Sequence, residues 1–253
     1  MTTLLLQVLS SLVRAAFAIM ALRAARSMHK WERQHQLAWL ATGLTFAPYS
    51  ALMLFQDFFA VRAFMAGVGS PELKFFLWLS PLCNHGRTFM MLGLYATLVA
   101  LPFTVRWTDR RRAWAFALVV GVGFLAGVGV ALVEGSLTGR HFANAAFIDI
   151  AGFAVVAGTL FMSMYRDSVD RYLWMSMAMY AFTSLAGVLY FTALSWFASD
   201  DAWTPPAWQK PMVIVVLGVV MVGLAWKRWR LAKRGAVVHG LMPAVRTSTP
   251  MLS

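Results

Sequence analysis

Seven stretches of predominantly apolar residues, each long enough to cross a lipid bilayer, divide the chain at about 4–24, 36–59, 80–105, 113–134, 144–165, 172–198 and 211–228. A helix rises about 1.5 Å per residue, so roughly 20 apolar residues cover a hydrocarbon core about 30 Å thick. A helix also satisfies its own backbone polar groups, which lipid cannot do for it. The predicted fold is therefore an all-α integral membrane protein, a bundle of seven transmembrane helices within residues 1–236. A cytoplasmic tail, 237–253, is expected to be poorly ordered because Pro, Ser and Thr replace the periodic pattern there. The connections are too short for a soluble domain. The run from Phe75 to Val105 exceeds one span and predicts an interfacial stretch before Pro81. The first stretch lacks a positive segment before it and runs directly into Arg23, Arg26 and Lys30, so it reads as a retained helix rather than a removable signal peptide.

Orientation follows from the placement of Lys and Arg, because short loops rich in them stay in the cytoplasm. Of the 22 such residues, 16 fall in one alternating set of connections: Arg23 to Arg33, Arg106 to Arg112, Arg166 with Arg171, and Lys227 onward. The opposite set holds Arg62, Lys74, Arg140 and Lys210, while Arg14 and Arg87 lie within spans. That asymmetry predicts N-out, C-in. Trp107, Trp226 and Trp229 beside the inner clusters, with Trp196, Trp203 and Trp208 near the outer ends, fit interfacial aromatic belts. The net charge of +12 is thus assigned to anionic lipid headgroups at the cytoplasmic face rather than to nucleic acid, since the basic residues are split among apolar runs. A bacterial inner membrane suits the short loops and single domain.

Gly121, Gly123, Gly127 and Gly129 make the fourth span glycine-rich, and Gly123 with Gly127 forms a small-xxx-small pair that permits close helix approach. A faint internal echo relates Phe46-Ala47 and Ser50 of the second span to Tyr180-Ala181 and Ser184 of the sixth, the pattern that a pair of three-helix repeats joined by a linker helix would leave.

Ionisable groups at membrane depth are the informative residues, because burying one costs about 2.5–3.5 kcal/mol on insertion scales. Arg14 lies near the middle of the first span. Asn84, His85 and Arg87 open the outer part of the third, Asp57 and Glu134 sit at outer helix ends, and Asp149 lies one to two turns inside the fifth. Arg14, Asp57, Asn84, His85, Arg87, Glu134 and Asp149 are accordingly the candidate ligand- or ion-binding residues, with Arg14 and Asp149 the first pair to test. The alternative reading of the same set is a structural ion-pair network that holds helices in register.

No catalytic residue and no metal site emerges. The chain has one cysteine, Cys83, which excludes a disulfide framework and multi-cysteine metal patterns. HExxH, GxSxG and GxxxxGK[ST] motifs are absent. His85 is the one histidine placed inside the membrane, whereas bis-histidine haem needs two; a His85–Met pair with Met90 or Met91 would draw both ligands from one helix. No cofactor is required by the sequence.

The heptahelical, N-out layout resembles that of retinal proteins, but the seventh span, Val213 to Ala225, carries no lysine for a Schiff base, so retinal is not expected. It also resembles the three-one-three sugar transporters, although Pro48 has no counterpart in the sixth span, and the heptahelical input modules of bacterial sensors, although no output domain follows the last helix. The leading expectation is a non-enzymatic polytopic protein, a receptor-like module or accessory subunit of a membrane complex, with a membrane-protein partner or a second copy as its associate. The alternatives are a small-solute or ion transporter and a haem-binding redox subunit.

Overall fold

The computed structural model describes residues 2–28, 32–104, 106–134, 170–182 and 209–241. Its helices are α1 (Thr2–Ser27), α2 (Arg33–Ala66), α3 (Pro71–Ala100, followed by a 3-10 turn at Leu101–Thr104), α4 (Asp109–Glu134), α5 (residues 171–182) and α6 (Gln209–Leu241). No strand occurs among the described residues. The expected fifth span, residues 183–198 of the sixth, and 242–253 of the tail lie outside them.

Leu5–Ser27, Arg33–Ala66, Asp109–Val133 and Met212–Gly235 are long and apolar enough to cross a membrane, which marks the chain as a membrane-embedded helical protein. Helix α3 has the length, but Asn84, His85 and Arg87 at its centre reduce its apolar content. The interfacial stretch expected before Pro81 is instead continuous with α3, which keeps Pro81 inside it and buried. Helix α2, at 34 residues, is about 51 Å long and overshoots a hydrocarbon core about 30 Å thick.

Local chemistry sets the helix ends. Gly67 and Gly69 adopt φ of 83° and 86°, the left-handed conformation that stops α2 and costs glycine no Cβ clash. Ser70 then caps α3: its side chain accepts from the Leu73 N–H at 3.2 Å, and Pro71 supplies a first position that needs no donor. Thr108 caps α4 by accepting from the Arg111 N–H. Within α2, Thr42, Thr45 and Ser50 return their hydroxyls to the carbonyl oxygens four residues earlier, so these polar side chains need no outside partner.

Helix α1 packs against α2 and α6, α2 against α3, and α3 against α4. Pairings run antiparallel from α1 to α4. Arg14 meets Met53 while Gln36 reaches the Ala25 carbonyl; Phe59 meets Phe75 while Gln56 reaches Ser80; Gly93 faces Val119 while Gly127 faces His85. Helix α5 runs parallel to α2, as the pairs Trp39–Asp170 and Tyr49–Tyr180 have the same sequence separation of 131. The core sits where α1, α2 and α5 meet, around the fully buried Phe17, Trp39, Phe46, Leu173 and Met177. Outward, α4 and α6 expose Leu118, Leu125, Leu132, Val216 and Val219, the surface expected when lipid is the solvent.

Glycine sets the closest approaches. A Cβ on Gly123 would lie 2.7 Å from the Phe89 carbonyl oxygen, and one on Gly127 would overlap that of His85. Gly43 and Gly218 do the same for α1, at 2.7 Å from Leu22 Cγ and 2.6 Å from Val13 Cγ1. Because the obstruction at Gly127 is backbone, Gly127→Leu is expected to destabilise the fold by about 1–3 kcal/mol, whereas Gly129→Leu, whose Cβ would meet nothing within 4 Å, leaves stability near that of the parent. Unfolding midpoints in mixed micelles check the pair.

Candidate polar site between α1, α2 and α3

Helical spacing brings the polar residues of three helices to one place. Tyr49, Met53, Gln56 and Asp57 follow the i, i+4, i+7, i+8 rule along α2; Ser80, Asn84 and Arg87 do so along α3; Ser11 and Arg14 do so along α1. Ser11 Oγ donates to Asp57 Oδ2 at 2.6 Å, Gln56 Nε2 donates to Ser80 Oγ at 2.7 Å, and Asn84 Nδ2 donates to the same hydroxyl at 3.4 Å. Arg87 Nη2 donates to Asn84 Oδ1.

The centre of this cluster is the ring of Tyr49. The guanidinium of Arg14 lies 5.7 Å from its centroid and that of Arg87 lies 5.5 Å from it. Both arginines are buried, at 8% and 9% exposure. Arg14 Nη1 has the thioether of Met53 at 2.8 Å, a neutral and weak acceptor, and Arg87 Nε has no hydrogen-bond partner among the described residues. Neither arginine forms an ion pair among the described residues, where the nearest carboxylate to carry charge into the cluster is Asp57. Two cations thus lie over one aromatic ring, with Asp57 as the carboxylate of the cluster among the described residues.

Of the residues expected from sequence, Arg14, Asp57, Asn84 and Arg87 are brought together here. His85 is buried, with Nδ1 3.4 Å from the Pro81 carbonyl oxygen one turn back on α3. Glu134 ends α4, and its side chain, like all of Asp149, lies outside the described residues. Tyr49 and Met53 were not anticipated; their signal was spacing, since they precede Asp57 by two turns and one turn on the same α2 face. Among the described residues no three His, Cys, Asp or Glu side chains gather as metal ligands.

A second charged cluster, which sequence reasoning missed, lies at the opposite end. Arg228 of α6 donates through Nε to Asp170 Oδ2 at 2.5 Å and through Nη2 to Glu32 Oε1 at 2.6 Å. Trp39 Nε1 donates to the same Asp170 oxygen at 2.8 Å. The other oxygen, Oδ1, accepts from the Tyr172 and Leu173 N–H groups, so Asp170 also caps α5. At the same end Arg33 pairs with Asp109, tying the start of α2 to that of α4. Sidedness alone reads Arg228 as one more headgroup-facing cation; the available signal is the acid beside each of the other three basic clusters, Glu32, Asp109 and Asp170.

No protein family, curated protein or solved structure matches this chain.

Removing one partner of a buried ion pair strands the other. Arg228→Ala is therefore expected to cost about 3–5 kcal/mol, while Arg33→Ala, at the exposed pair with Asp109, is expected to cost less than about 1 kcal/mol. Mixed-micelle unfolding of the two variants beside the parent reads the contrast.

Proposed function

We propose that the chain is a seven-helix membrane protein with its N-terminus outside and C-terminus inside, and that it acts as a receptor-like module, alone or as a subunit of a larger complex, by binding an anionic ligand between Arg14 and Arg87. The observation that carries the ligand is the pair of buried guanidinium groups over Tyr49 with, among the described residues, the carboxylate of Asp57 in the same cluster. Away from water a cation is stabilised by counter-charge, and an entering carboxylate or phosphate supplies it bidentately.

The direction of the helices supports the seven crossings. Helix α4 starts at Asp109 beside Arg33 and runs to Glu134 past the level of His85, whereas α5 starts at Asp170 back at the first end. The end of α4 and the start of α5 therefore lie at opposite ends of the bundle, the relation that the expected fifth span would give. Cation and aromatic pairs at the end assigned to the cytoplasm support the orientation and a belt against anionic headgroups: Arg111 over Trp107 at 4.7 Å, Arg230 over Trp226 at 4.7 Å, and Lys233 over Trp229 at 4.5 Å.

A transporter is the second reading, favoured by the presence of two charged clusters separated along α2, as paired gates would require. Equilibrium binding of sodium phosphate and sodium acetate to the purified protein tests the first reading. Saturable binding of either anion is expected, weakened tenfold or more in Arg14→Gln and in Arg87→Gln, with no flux in liposomes. Equal binding by parent and both variants, or none by the parent, overturns the site; anion flux abolished in Arg87→Gln moves the assignment to the transporter.

A further inference from the structure

The two charged clusters are joined by a pair of parallel helices with one contact at each end. At one end Trp39 of α2 donates to Asp170 at the start of α5; ten residues further along both helices, the Tyr180 hydroxyl donates to that of Tyr49 at 3.0 Å. The rise of a helix separates these contacts by about 15 Å. Between them Leu173, Met177 and Phe46 are fully buried, and the Phe46 ring meets Tyr180 edge-on at 5.2 Å, so α5 is packed along the interval that separates the two contacts.

We infer that α5 is a rigid relay between the ends: the Tyr49–Tyr180 contact under the two guanidinium groups and the Arg228–Asp170–Glu32 lock move together, so that occupancy of the outer cluster releases or tightens α6 at the cytoplasmic end. This rests on the anion-binding reading above for its input but not for its mechanics. Tyr49 is shared by the cluster and the relay, since its ring carries Arg14 and Arg87 and its hydroxyl accepts from Tyr180. Asp170 is shared by the relay and the lock, since one carboxylate caps α5, accepts Trp39 and holds Arg228. A shift of α5 along α2 therefore cannot keep both contacts. Movements of helices by about 1–2 Å are the usual scale of such transitions, enough to take Arg228 out of hydrogen-bond reach of Asp170.

Spin labels on cysteines placed at the exposed Arg171 and Arg230, in full-length protein carrying Cys83→Ala, report the distance between α5 and α6 at the lock. Arg228→Gln, which opens the lock directly, sets the released distance. The relay predicts that Tyr180→Phe and Tyr49→Phe, each of which removes the distant hydroxyl contact, shift the distribution toward that distance, by about 1–2 Å. An unchanged distribution in both phenylalanine variants overturns the relay, and so does an unchanged one in Arg228→Gln. Sodium phosphate added to the parent is expected to produce a shift that Arg87→Gln lacks. If the phenylalanine variants shift and phosphate does not, the relay stands and the anion reading fails.

Discussion

A guanidinium group that cannot reach water must find negative charge, and the architecture turns on how Arg14, Arg87 and Arg228, the buried arginines among the described residues, meet that demand. Arg228 is matched: two carboxylates from different parts of the chain face it, and the nearer one is held in turn by an indole N–H and two backbone N–H groups. Among the described residues Arg14 and Arg87 are met by a thioether, an amide oxygen and the ring of a tyrosine, with Asp57 in the same cluster but ion-paired to neither. Among the described residues one end of the bundle is thus closed by ion pairs, and the other is where we propose that an anion binds. That difference, rather than any motif, gives the molecule a direction.

The remaining packing places these groups. Glycines at 43, 123, 127 and 218 bring helix backbones close enough that side chains from three helices reach a common centre. Caps at Ser70, Thr108 and Asp170 fix where the helices start, and so which residues fall at which depth. Lipid provides no hydrophobic force between helices, so close packing and buried polar contacts hold the bundle. The apolar exterior of α4 and α6 takes no part in the site.

Much of the helical architecture was legible in the sequence, because apolar run length and the rise per residue are nearly sufficient to locate membrane helices. The ends were less so. Helix α2 continues to Ala66, since nothing before Gly67 obliges it to stop, and α3 reaches back to Pro71, since a proline at the first position suits a helix start as well as a break. The Tyr49 cluster was legible in part: Arg14, Asp57, Asn84 and Arg87 stand out as polar residues in apolar runs, whereas Tyr49 and Met53 look like ordinary core until the helices are placed side by side. The Arg228 lock was not legible. Its members lie up to 196 positions apart, and each sits in a basic stretch that sidedness alone explains.

The claim on which the account depends most is sidedness: that the Tyr49 cluster lies toward the outside and the Arg228 cluster toward the cytoplasm. Single cysteines at Val68, in the exposed turn between α2 and α3, and at Thr108, before α4, in the Cys83→Ala background of intact cells, address it through a membrane-impermeant maleimide. The account predicts labelling at position 68 in intact cells and at position 108 only after the membrane is opened. Labelling at 108 in intact cells, with 68 protected, would contradict it.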